Sequence, residues 1–247
     1  MQKTKTLLGL IIVLAISFIC FQVFNQEKVV DIVRSLILPL VTLLYYIKTK
    51  DKKSNFFYFL LVYSISEFMG VFSYFAYDSF IISDIMFYSG NLLYIIAYLF
   101  LIFEVLKSMD LKGIFKRFPV HIAILFAFDI YSVILVSQIA VESDYLVGPV
   151  DYTIEILYNV VVMFLLTVTL INYISRDSKK AMNLLVGALC IVFSEVIQVA
   201  YFYVSAINIL SVVYSILLVF AFCFFYIQSS MKYVGEKNYE TLEKLEA

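Results

Sequence analysis

The sequence predicts an all-α, polytopic membrane bundle of about eight transmembrane helices, and three observations carry that prediction. Hydrophobic residues make up 63% of the 247 and charged residues 15%, more apolar surface than a soluble domain of this length can hide. Apolar runs of about 19 to 27 residues recur along the chain, each long enough to cross a hydrocarbon core about 30 Å thick. The Lys and Arg residues fall in alternate gaps between those runs.

The first run, 6–24, follows Lys3 and Lys5. Its apolar core is long and residues 21–26 hold no small-residue cleavage pattern, so it reads as a retained helix rather than a signal peptide; Ile19 directly before Cys20 argues against lipoprotein processing. The second, 29–47, leads into Lys48, Lys50, Lys52 and Lys53. The third, 56–77, and fourth, 81–106, contain Gly70 and Gly90, where small residues let helices approach closely. The fifth is 118–140 and the sixth 151–175. The seventh, 181–205, contains Gly187, and the eighth is 207–227. Strands are excluded, because the runs are too long, lack period-two alternation and must satisfy their backbone groups within each segment. Residues 1–230 therefore form one bundle, 231–247 form a short cytosolic tail, and no loop is large enough for a second folded domain.

Orientation follows from the cations. All 18 Lys and Arg except Lys28 and Arg34 lie at the N-terminus, in alternate loops or in the tail. Positively charged loops stay cytoplasmic, so both termini are expected in the cytosol and the chain in a bacterial inner membrane. A net charge of -1 argues against a nucleic-acid partner, which would need a basic surface. Cys20, Cys190 and Cys223 sit in apolar runs without metal-ligand spacing and read as small buried side chains, so no metal or cofactor is expected. Membrane lipids are the expected partners; no oligomeric state is assigned.

Ionisable side chains at membrane depth are costly, which makes them functional candidates. Glu67 lies near the middle of the third span, Asp129 near the middle of the fifth and Glu195 just past the middle of the seventh. Glu104 and Glu155 lie near span ends, where they can reach water or a partner, and His121 reads as an interfacial side chain. The surroundings of Glu67 and Glu195 are alike: Ser66-Glu67 with Val71 four residues on, and Ser194-Glu195 with Val199 four residues on. The third and seventh spans are four apart, so this similarity suggests a parallel four-plus-four repeat. Asn91 and Tyr94 share one face of the fourth span. Gln198 and Tyr214 complete the set of candidate binding residues.

With these residues in place, the chain resembles the YhhN family of eight-helix membrane proteins, which includes lysoplasmalogenases. The resemblance covers spans two to eight. Gly187-Ala188 precedes Ser194-Glu195 at the spacing of the family's Gly-Ala...Ser-Asp pattern, and Ser66-Glu67 stands where the family has Gly-Asp. Residues 87–94 are similar to its Phe-x-x-x-His-x-x-Tyr segment, with Asn91 in place of His, and Tyr214 to the Tyr of Tyr-x-x-Ala-Gln, with Leu217 and Leu218 in place of Ala-Gln. The resemblance implies hydrolysis of the vinyl ether of lysoplasmalogen-type lipids.

That reaction begins with proton delivery to carbon, and water then captures the resulting oxocarbenium-like cation. A carboxyl shielded from water keeps its proton and can serve as the acid, while a second can stabilise the cation or activate water. Glu67 and Glu195 fit those catalytic roles in type, and the sequence leaves open which is the acid. Asn91, Tyr94, Gln198, Tyr214 and Asp129 are the candidate substrate-binding residues. Two other readings use the same residues: a non-catalytic lipid-binding protein of this fold, and a small-solute or proton-coupled transporter, for which Asp129 would supply a further carboxyl.

Overall fold

The computed structural model describes residues 2–49, 54–75, 80–142 and 148–231. The loop lysines Lys50, Lys52 and Lys53, the acidic Asp78 and Asp144, and the tail from Lys232 on lie outside the described residues. The described residues form helices α1 (Gln2–Val23), α2 (Glu27–Lys48), α3 (Asn55–Phe75), α4 (Phe80–Lys107), α5 (Leu111–Arg117), α6 (Pro119–Val141), α7 (Pro149–Arg176), α8 (Lys179–Tyr203) and α9 (Asn208–Ser229). Eight of them are long and apolar enough to cross a membrane, which makes the chain an integral membrane protein. Their bounds lie close to the eight predicted runs.

The addition is α5, seven residues between the fourth and fifth spans. Asp110 caps it by accepting from the Gly113 amide, and Ile114 is its buried residue. At the next boundary Pro119 opens α6, where its missing N–H costs nothing.

Packing closes a ring. Going round, α1 meets α2, α2 meets α3, α3 meets α4, α4 meets α7, α7 meets α8, α8 meets α9 and α9 returns to α1. Helix α6 stands outside this ring against α7 and α8, and side chains such as Ile124 and Tyr131 point outward from it. Hydroxyls join helices where hydrocarbon cannot. The Thr42 hydroxyl of α2 meets Ser64 of α3 at 2.9 Å and the Leu60 carbonyl at 3.2 Å, and Gln22 of α1 donates to Ser211 of α9 at 3.0 Å. Gly187 of α8 lies under the Phe225 ring of α9.

The helix ends sort by charge. Lys48 donates to the Tyr226 hydroxyl at 3.2 Å, and Glu104, Lys180 and Gln228 line one recess on the same side of the bundle. At the opposite side Asn208 donates to the Val23 carbonyl and Tyr88 to Asp151. The cysteines depart from expectation. Cys20 and Cys223 are exposed on helix surfaces and Cys190 is half-buried, so only their apolar setting was anticipated. In a bilayer, the outer face of a helix is as apolar as its core, so hydrophobicity does not mark the inside.

Candidate functional site: a polar cavity in the bundle

The carboxyls of Glu67 on α3 and Glu195 on α8 line a single cavity of about 350 Å³. Every wall of it comes from the parts of α2, α3, α4, α7 and α8 away from the ends that carry Lys48, Lys107 and Lys180. Asn91, Tyr94 and Gln198, all expected in the site, line it too, as do Val71 and Val199 from the two matching segments.

The two acids are held differently. Glu67 is 6% exposed and forms a two-pronged ion pair with Arg34 of α2: Arg34 Nε lies 2.9 Å from Oε2, and Nη2 donates to Oε1 at 3.1 Å. Tyr94 of α4 donates to the same Oε1 at 3.1 Å. One hydrogen bond and one close charge contact thus hold the Glu67 carboxyl against the guanidinium, and Nε makes no hydrogen bond of its own. Glu195 is half-buried and receives the Tyr98 hydroxyl at 3.1 Å, with Tyr158 of α7 interacting beside it. Among the described residues, the salt bridge formed is the one to Glu67 and not to Glu195.

Aromatic rings connect the two acids. Tyr63 of α3 is 1% exposed and packs edge-on against Tyr94 at 4.7 Å and Tyr98 at 5.7 Å. Tyr98 in turn packs against Tyr158 at 6.0 Å. Because Tyr94 and Tyr98 are four residues apart, they share one face of α4, and each reaches a different glutamate.

The Ser-Glu pairs behave alike locally. Ser66 donates to the Gly90 carbonyl of α4 at 2.8 Å, and Ser194 to the Tyr214 carbonyl of α9 at 2.9 Å. In both cases the serine ties its helix to the next span while the glutamate after it turns to the cavity. The packing around them is not matched: beyond its contact with α3, α4 lies along α7, whereas beyond its contact with α8, α9 meets α1 more than α2.

No family model, curated protein or solved structure matches this chain.

Two expected members lie elsewhere. Asp129 of α6 is half-exposed and accepts from Thr167 of α7 at 2.9 Å, outside the cavity's lining. Tyr214 is buried with its ring 6.0 Å from Tyr201, within electrostatic reach of Arg34 but not on the cavity wall. Arg34, Tyr63, Tyr98, Tyr158, Asp31 and Glu155 line or brace the site without having been expected there. Arg34 had a signal, an arginine six residues inside an apolar run. Tyr98 had a weaker one in its four-residue spacing from Tyr94. Glu155, read as a span-end side chain, does lie near the end of α7; it lines the cavity and accepts from Asn159 at 3.2 Å.

Proposed function

We propose that this protein is an intramembrane hydrolase of the YhhN type that cleaves the vinyl ether of lysoplasmalogen-type lipids. The observation that carries the reading is the unequal pair of carboxyls on one cavity, Glu67 fixed by Arg34 and Glu195 held by tyrosine hydroxyls. Glu195 is the acid in this scheme. It protonates the outer vinyl carbon, the ether oxygen takes up the positive charge, and water adds to the oxocarbenium carbon. The water proton returns to Glu195, and the hemiacetal collapses to an aldehyde and the chain-free glycerol phospholipid headgroup, so one water is consumed for one C–O bond broken. Glu67, paired with Arg34, supports the cation electrostatically while Arg34 holds it in place. Asn91 and Gln198 offer amides to the water or the headgroup. The bilayer in question is a bacterial inner membrane, with both termini in the cytosol, which puts the cavity toward the outer leaflet.

The test is aldehyde release from a 1-alkenyl lysophospholipid by the purified protein. Glu195→Gln and Glu67→Gln are each expected to lower the rate by about 100-fold or more, the usual range for losing an acid–base group. Unchanged rates in both variants would overturn the assignment. A wild-type protein that binds the lipid without releasing aldehyde would point to the non-catalytic binding protein, and proton-dependent uptake into proteoliposomes to the transporter.

A further inference from the structure

The segment that joins α4 to α6 collects cations. Lys107 ends α4, and Lys112, Lys116 and Arg117 follow within α5. All four are exposed, and among the described residues none of them pairs with a carboxylate. The acid of this segment, Asp110, is turned back on the helix and accepts from the Gly113 amide at 3.3 Å. The Arg117 guanidinium lies 5.3 Å from the centre of the Phe118 ring.

Apolar side chains sit beside the charges. Residues four apart share a helix face and neighbours lie about 100° round, so the order about α5 is Ile114, then Leu111 and Phe115, then Lys112 and Lys116. Ile114 is 7% exposed, whereas Leu111 is 40% and Phe115 60% exposed. With α4 ending at Lys107 and α6 opening at Pro119, α5 is confined to the surface of the bilayer. A helix at that level that turns Leu and Phe toward hydrocarbon places the cations of its next face among headgroups, their stems lying on apolar surface. A soluble anion answers the charges and leaves Leu111 and Phe115 in water. An anionic lipid answers both.

We propose that α5, together with Lys107, is a binding surface for anionic phospholipid in the leaflet on the side of Lys48 and Lys180. The surface lies outside the polar cavity, and the inference stands apart from the hydrolase reading. Each Lys or Arg close to an anionic leaflet biases the neighbouring lipid about fivefold. The three cations of α5 therefore select headgroups by charge even where neutral lipid is in excess.

The chain contains no tryptophan, so Phe115→Trp in the full-length protein puts a single fluorophore on this surface. The variant is placed in nanodiscs of dioleoyl phosphatidylcholine with a minor share of one brominated lipid, either phosphatidylglycerol or phosphatidylcholine, the bromines near the headgroup end of the chains. Brominated phosphatidylglycerol is expected to quench about threefold or more strongly than the same share of brominated phosphatidylcholine. Raising the salt from about 0.1 to about 1 M, which cuts the screening length from about 10 to about 3 Å, should shrink that difference. Lys112→Gln, Lys116→Gln and Arg117→Gln together should abolish it. Lys5→Gln, Lys48→Gln and Lys179→Gln remove the same charge from elsewhere on that face and should leave it in place. Equal quenching by the two lipids, quenching by neither, or an equal loss in the two triple variants would overturn the surface. Leu111→Trp supplies a second reporter should the first fold poorly.

Discussion

At the residue scale the Arg34–Glu67 pair decides most. Taking two charges out of water costs several kcal/mol each, which the ion pair and the Tyr94 bond offset only while both partners are present. Arg34→Met alone should therefore destabilise the protein by about 3–5 kcal/mol, because Glu67 is left buried and unpaired. The double variant Arg34→Met with Glu67→Leu should return most of that stability while abolishing activity, and thermal unfolding in detergent beside an aldehyde assay separates the two effects. This pair also marks a limit of the sequence reading. Glu67 stood out as an acid in an apolar run, whereas Arg34 entered only as one of two cations outside the alternate loops. Depth along a span can be read from sequence; a partner on another helix cannot.

At the element scale two contacts set how helices meet. Tyr94 and Tyr98 make α4 the member that touches both glutamates, one turn apart. Tyr98→Phe keeps the ring packing against Tyr63 and removes only the hydroxyl, so turnover should fall on the order of tenfold with little loss of fold, the worth of one hydrogen bond. Full activity in that variant would show that Glu195 needs no such restraint. On the other side, Gly187 leaves room for Phe225, and a Cβ there would lie 2.5 Å from Phe225 Cε1. Gly187→Ala is thus expected to cost about 1–3 kcal/mol by overpacking, with Phe225→Leu restoring it in the double variant, as read by unfolding temperature. The eight spans were legible because length and hydropathy are properties of single helices. The short α5 was not, since seven residues among charges give no periodic signal. Tyr98 and Tyr158 were hidden among 20 tyrosines, and Asp129 was grouped with the site because its depth was right while its direction was unknown. In nearly uniform apolar helices the face turned inward leaves little trace in sequence.

At the scale of the whole molecule, charge and cavity divide the bundle between two faces. The ends with Lys48, Lys107 and Lys180 lie on one side and the polar cavity is displaced to the other. Positively charged ends are retained in the cytosol, so a single added cysteine at Gly148 should react with an impermeant maleimide in intact cells, and one at Ser178 only after the cells are opened. The reverse pattern would invert the proposed orientation. Among the described residues no soluble layer covers the bundle, so a ligand of the polar cavity would move through the plane of the bilayer or out of one leaflet.

The ion pair carries a consequence for biogenesis. Glu67 is made 33 residues after Arg34, so α2 reaches the translocon with a cation inside the first half of its span and its counter-charge still unsynthesised. Insertion scales put a cation at a helix centre at a cost of about 2.5–3.5 kcal/mol; Arg34, nearer one end, costs part of that, and the cost is relieved when α3 is alongside. The first two ring helices that share this pair should therefore enter the membrane together as a hairpin. A nascent chain stopped shortly after Lys48 should insert α2 less completely than one extended through α3, and Glu67→Leu should remove the gain that α3 brings.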